Sequence, residues 1–268
     1  MSILPIAIIL PHPGRDIPPE LSGRIALTPE QIFNEADAYT DLIYDFRDRV
    51  LHWVSFPYAR AILDVNRPDD LDQTRPGDGI VKRQTSYGDP VFRPGQEPDP
   101  ALERTLIDRY WRPWHNQLAA IAADKRVKWV IDGHSMAATG PGKYDDPGRI
   151  RPRVSVANFG NEQGEADRFP LTAPPHLVRN LASQLGQALA DLPALARTGR
   201  DVALNSPFYG GHDLQAHGGP TQPWLMIELN RALYIGEQTG NSPIVPAEPG
   251  RIALLRQRVW QSLLILHR

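Results

Sequence analysis

The chain contains no cysteine among its 268 residues. That absence excludes disulfides, thiolate-held zinc and a cysteine nucleophile, so any metal or acid–base chemistry rests on histidines and carboxylates. An excess of one charge is missing too: 29 Lys and Arg against 31 Asp and Glu give a net charge of -2. With no basic excess there is no electrostatic footprint for nucleic acid or for an anionic membrane surface. No apolar run approaches the roughly 20 residues that a spanning helix needs. The opening Met-Ser-Ile-Leu-Pro-Ile-Ala-Ile-Ile-Leu lacks the basic flank and small-residue cleavage site of a secretory signal. It reads as a first strand, and the chain as a soluble, cytoplasmic protein. Neither standard glycine-rich phosphate loop is present, nor a Gly-x-Ser-x-Gly elbow, which ranks nucleotide binding and serine-hydrolase chemistry low.

What is present is 41% hydrophobic and 22% charged residues, ordinary for a globular enzyme. Proline is unusually common, 27 residues, concentrated in 11–29, 57–113 and 220–249, which implies long ordered loops over a rigid sheet. Thr28-Pro29-Glu30-Gln31 supplies an N-cap, a first-turn proline and a capping-box glutamine. Apolar residues from Ile32 to Trp53 then recur at spacings of four and three and predict one long amphipathic helix. Strands are expected at 59–65, 127–132, 154–158, 201–204 and 223–231, and helices at 101–124, 174–191 and 250–267. Alternating strands and helices predict one α/β domain over residues 1–268, with a mainly parallel or mixed central sheet flanked by helices.

Two histidines stand out: His12, after Ile-Ala-Ile-Ile-Leu-Pro, and His134, in Trp-Val-Ile-Asp132-Gly-His134-Ser. Each follows a short apolar run without alternation, the pattern of a strand buried on both faces of a parallel sheet. Ligand crevices of open α/β sheets lie outside the carboxyl ends of such strands, so the two imidazoles can share one crevice and one metal. A hydrolytic zinc site needs a third protein ligand and an open position. Asp37 is a candidate on an acidic face with Asp41, Asp45 and Asp48, although simple solvation is the default explanation of such a face. Asp132 is expected outside the ligand set, as a partner that orients His134. Glu228, ending the apolar run Trp-Leu-Met-Ile, is costly to bury unless it is paired or functional. It is either a general base or the partner of Arg231. Asn66-Arg67 either clamps a substrate carboxylate or forms an ion pair with Asp64 or Asp69.

The ordered set of motifs resembles the N-formylglutamate amidohydrolase family. It comprises Pro-His12-x-Gly, Asp37 ahead of Leu-Ile-Tyr-Asp-Phe, Ala-Ile-Leu-Asp64-Val-Asn66-Arg67-Pro, and Tyr-Trp-Arg-Pro-Trp-His115. Further on come Ile-Asp132-Gly-His134-Ser, Asn158-Phe-Gly-Asn, Asn205-x-Pro-Phe-x-Gly-Gly and Ile-Glu228-Leu-Asn230-Arg231-x-Leu-Tyr. The resemblance implies a fold similar to the zinc carboxypeptidases and aspartoacylases. It also implies hydrolysis of an N-formyl or other N-acyl amino acid, typically N-formyl-L-glutamate in histidine breakdown. By position, His12, Asp37 and His134 look like ligands of one zinc ion, with Asp16 a rival to Asp37. Glu228 looks like the general base. Asn66 and Arg67 look like the pair that grips the substrate and polarises its carbonyl, with Arg83 or Arg231 helping to hold carboxylates. His212-Asp213 and Glu165-Ala-Asp167 depart from the family pattern and are expected to add charge near the pocket. Two alternatives stay open: a related metal-dependent N-acyl amino acid deacylase or small-peptide carboxypeptidase, and a non-catalytic binding protein on the same fold. The partner is expected to be a small molecule, with homo-oligomerisation left open.

Overall fold

The apolar run at the N-terminus forms β1 (Leu4–Leu10), buried at nearly every position. The computed structural model describes residues 3–70, 77–219 and 221–267. In it β1 lies within a sheet completed by β2 (Val50–Ser55), β3 (Trp129–Met136), β4 (Val154–Ala157), β5 (Val202–Leu204) and β6 (Trp224–Asn230). The order is β2-β1-β3-β6-β4-β5. β2, β1, β3 and β6 are parallel, β4 is antiparallel to β6, and β5 is parallel to β4. The fold is thus mixed α/β. The strands at the centre of the sheet are apolar without alternation because both faces are covered.

Those faces separate by the two-residue period of the strands. Leu4, Ile6, Ile8 and Leu10 join Ile131, Leu225, Ile227 and Leu229 in one core, packed on helices α5 (Pro175–Leu189) and α7 (Pro249–Leu263). Ala7, Ile9, Val130, Trp224 and Met226 face the other core, with Trp114, Leu118 and Ile121 of α4 (Arg112–Ala123). Continuing the period along β3 and β6 places Asp132, His134 and Glu228 on this second side, near the carboxyl ends of parallel strands. A shorter helix, Pro100–Leu106, runs into α4 through a π-helical turn at Ile107–Trp111, close to the expected span.

Three expectations fail. The long helix from Thr28 is instead Pro29–Glu35, a break, a single turn at Thr40–Ile43, and then strand β2. The capping box at Thr28 and Gln31 is present. Ala36 is extended, however, and Tyr39 is left-handed at φ 65°, because the Asp37 N–H is drawn to the His12 carbonyl at 2.9 Å. The apparent helical period was two unrelated segments in register by chance. Residues 59–65 are likewise turns rather than a strand, bridged only at Leu63 to Val81. Their apolar side chains are buried all the same, since Asp64 N–H and Lys82 N–H find the Ile80 and Ile62 carbonyls. His134 lies inside β3, which runs on to Met136, rather than beyond the strand end.

Candidate metal centre and active site

His12 sits two residues past β1, in a turn that needs Gly14. A Cβ there would lie 2.1 Å from the Pro57 carbonyl carbon, so the Pro-His-x-Gly spacing reflects a close backbone crossing. The break after the Pro29–Glu35 helix delivers Asp37 and β3 delivers His134. Their relative exposures of 3%, 1% and 3% make all three essentially buried. His134 Nδ1 is 2.8 Å from Asp37 Oδ2 and His12 Nδ1 is 3.7 Å from the same oxygen. One donor atom from each of the three falls within 4.8 Å of the others, a group that could hold a metal ion. His12 Nδ1 is buried with no hydrogen-bond partner.

The far nitrogens are also specified. His12 Nε2 meets Asp64 Oδ1 at 2.7 Å, and His134 Nε2 meets Asp132 Oδ1 at 2.9 Å. At His12 the Asp64 carboxylate bonded to the outer nitrogen fixes the tautomer and aims the partnerless inner nitrogen as a lone pair, the arrangement found behind metal-bound imidazoles. His134 instead hydrogen-bonds Asp37 through Nδ1 and has Asp132 as a charged neighbour of Nε2. Asp132 and His134, two apart in β3, share a strand face. Burial works against ionisation of Asp37, yet hydrogen bonds and charge from His12 and His134 hold its carboxyl well below the usual range. Burial likewise opposes a charged His134, and Asp132 and Asp37 outweigh it, raising its pKa well above the ordinary value. The pocket floor therefore carries concentrated negative potential suited to a cation.

Asp64 is a hub. It is fully buried and lies 3.4 Å from Arg67 Nη1, 3.2 Å from Lys82 Nζ and 3.5 Å from Arg60 Nη2. Burial opposes its charge, but Arg67, His12 and Lys82 keep it ionised well below the ordinary range. Arg67 is thus paired with Asp64, and with Asp78, while Asp69 instead meets Arg104.

Glu228 is the register partner of His134 across β3 and β6. It is 7% exposed, and its Oε2 has no partner. Burial, aided by the Asp37 charge, raises its carboxyl to about 7 against the pull of His134, Arg151 and Arg60. No Glu228–Arg231 ion pair forms among the described residues. Arg231 is 6% exposed, donates from Nη1 to the Asn34 and Ala36 carbonyls at 2.7 and 3.1 Å, and leaves Nε without a partner. A buried guanidinium that faces carbonyls but no carboxylate is a ready anion site.

His12, Asn66, Arg67, His134, Glu228 and Arg231 all line one cavity of about 440 Å³. Tyr144, Phe208 and Tyr209 form an aromatic side of it. Arg83 does not reach it: its guanidinium pairs with Glu103, bonds the Pro98 carbonyl and lies over the Phe92 ring. Asp16 is exposed and outside the three-residue group. The residues outside the family pattern do not line the cavity either. Glu165 pairs with Arg179, and buried Asp213 accepts from Trp114 Nε1. Arg60 and Lys82 were not singled out from sequence, where nothing marks a cation on an irregular turn as facing Asp64.

A family model described as N-formylglutamate amidohydrolase matches residues 4–235. Two curated relatives are N-formylglutamate deformylases. The one from Pseudomonas aeruginosa is 24% identical over 245 residues, covering 88% of this chain and 84% of that protein. The one from Pseudomonas putida is 26% identical over 243 residues, covering 87% and 83%. Among solved structures, an N-formylglutamate amidohydrolase from Ralstonia eutropha JMP134 matches with a TM-score of 0.73 at 21% identity, covering 100% of this chain and 94% of that one. That likeness is one of fold.

Proposed function

For a chain that belongs to the N-formylglutamate amidohydrolase family, we propose zinc-dependent hydrolysis of the N-formyl amide of an acidic amino acid, converting N-formyl-L-glutamate and water to L-glutamate and formate. The observation that carries the reading is the convergence of His12 Nδ1, Asp37 Oδ2 and His134 Nδ1 in the cavity that Glu228, its Oε2 without a partner, also lines. The reading takes residues 1–268 as one domain, working in the cytoplasm in histidine breakdown. It fits the described residues, none of whose helices is long and apolar enough to cross a membrane.

The donor set fits zinc: two imidazole nitrogens and one carboxylate oxygen leave a fourth position open. Held by His12, Asp37 and His134, the ion would supply Lewis acidity toward the formyl carbonyl and water acidic enough to ionise near neutral pH. Glu228 takes the proton of the attacking water and returns it to the amide nitrogen as the C–N bond breaks and the new C–O bond is made. Arg67 and Asn66 face the oxygen on which negative charge develops. Arg231, a buried cavity guanidinium with no carboxylate partner among the described residues, takes a substrate carboxylate.

Two outcomes follow for residues around the centre. Asp132→Asn keeps the shape of the side chain but removes the charge behind His134. It is expected to weaken zinc retention about 10- to 100-fold in a competition titration with a chelator; unaltered affinity would remove Asp132 from the centre. Arg231→Lys keeps the charge but loses the planar fork. The KM for N-formylglutamate should rise about 10- to 100-fold, the value of a hydrogen bond to a charged group, with kcat nearly preserved. An unchanged KM would place the carboxylate elsewhere.

The function itself is tested by assaying N-formyl, N-acetyl and longer N-acyl glutamates, and C-terminal dipeptides, with zinc and with chelator. The formyl compound should be cleaved fastest, and only with metal. Faster cleavage of longer acyl groups or of dipeptides would replace this reading by a deacylase or a carboxypeptidase.

A further inference from the structure

The turn Asn205-Ser-Pro-Phe-Tyr-Gly210-Gly211 has no place in the chemistry above, yet it packs directly on one of its residues. Asn66 is 3% exposed. Its Oδ1 accepts the Asp213 N–H at 2.8 Å, and its own N–H donates to Asp64 Oδ1 at 3.1 Å, the oxygen that also holds His12. Because Oδ1 is committed to an N–H, the amide cannot be flipped, and Nδ2 is the end left over. Asn66 lines the cavity, and its Nδ2 has no partner among the described residues.

Gly211 closes the other side. A Cβ on it would stand 2.4 Å from Asn66 Nδ2, 2.5 Å from Oδ1 and 2.7 Å from Cγ, closer than real Cβ contacts come. Its backbone, at φ -121° and ψ -178°, is ordinary extended chain, so no conformational demand calls for glycine here. Space alone does. The amide of Asn66 is thus held at its edge by the Asp213 N–H and across its face by the Gly211 backbone.

We infer that Gly211 is a positioning residue: with the Asp213 N–H it holds Asn66 so that Nδ2 donates into the cavity, to a substrate oxygen beside the metal centre. This rests on the proposed hydrolase reading. Any side chain at 211 displaces the Asn66 amide and misdirects its donor, while the residues of the metal centre are left untouched.

A double-mutant cycle tests it. Asn66→Ala should lower kcat/KM about 100-fold or more, the effect of removing one donor to a developing oxyanion. Gly211→Ala should cost at least about 10-fold with zinc content unchanged. The double variant should fall within about threefold of Asn66→Ala alone, since the second change then has nothing to displace. Additive losses overturn the inference. If Gly211→Ala alone unfolds, adding Asn66→Ala should restore its melting temperature, and a double variant that stays unfolded overturns it equally. Should the wild-type protein cleave no N-acyl amino acid, the hydrolase reading fails, but the clamp is still measurable. The Asn66 side-chain amide signals in a nitrogen–proton NMR spectrum, assigned by their loss in Asn66→Ala, should shift in Gly211→Ala. Signals that do not move contradict it.

Discussion

Glu228→Gln is expected to lower kcat about 100- to 10,000-fold, the range for loss of a general base, with zinc content and fold unchanged. Glutamine keeps the volume and hydrogen-bonding reach of the side chain but cannot take the proton of an attacking water. The fold has little reason to object, since Glu228 Oε2 has no partner to lose. The sign of the stability change separates this from simple damage. Burial raises the Glu228 carboxyl from 4.5 to about 7, so the folded protein binds the proton more tightly than the unfolded chain. That contribution to stability is complete below about 4.5 and is lost as pH rises through about 7. In zinc-free protein at pH 8 the buried carboxylate is therefore a cost, and Glu228→Gln should melt at a higher temperature than wild type while being nearly inactive. A melting temperature that falls along with activity would point to structural damage.

The same group sets the pH profile. A base must be ionised, so kcat/KM should rise with pH through the Glu228 pKa. A cation at His12, Asp37 and His134 favours the charged carboxylate, which puts the acid limb of the zinc-loaded enzyme below the value of about 7 for the ion-free site. A profile flat through the acid range would contradict Glu228 as base.

Asp37→Asn is the second large effect: the protein should lose its zinc and fall to the activity of chelator-treated wild type. Asp37 Oδ2 is the atom that both inner nitrogens face, at 2.8 and 3.7 Å, and it carries the negative charge of the donor set. Replacing it leaves two neutral imidazoles and a weak amide oxygen. The loss of affinity should exceed the roughly 10- to 100-fold expected for a supporting carboxylate such as Asp132. The chain path is secured separately by the Asp37 N–H to the His12 carbonyl and by Thr40 Oγ1 donating to the Asp37 carbonyl, so folding should survive. Metal analysis of the purified variant checks this, and one zinc retained per chain would remove Asp37 from the ligand set.

Which parts could be read from sequence follows from which interactions are local. β1, β3 and β6 were legible because strands covered on both faces carry uninterrupted apolar runs, and their ends pointed to His12, His134 and Glu228. α5 and α7 were legible from a helical period on one face. The segment from Thr28 to Trp53 was misread because what ends its helix is remote: the His12 carbonyl, on another element, captures the Asp37 N–H. Asp37 was therefore named by resemblance to a motif, and the acidic helix face offered for it does not exist. Arg83 illustrates the opposite error. It is expected to help hold a substrate carboxylate, whereas Glu103 on the following helix pairs with it. Arg60 and Lys82 carried no local signal, since their meaning lies in a buried Asp64 that only the folded chain brings to them.

The most direct test of the account is formate release from N-formyl-L-glutamate by zinc-loaded wild type, chelator-treated wild type and zinc-loaded Glu228→Gln, with glutamate measured alongside. The account predicts formate and glutamate in equal amounts from the first alone. Equal formate from all three, or none from the zinc-loaded wild type, would contradict it.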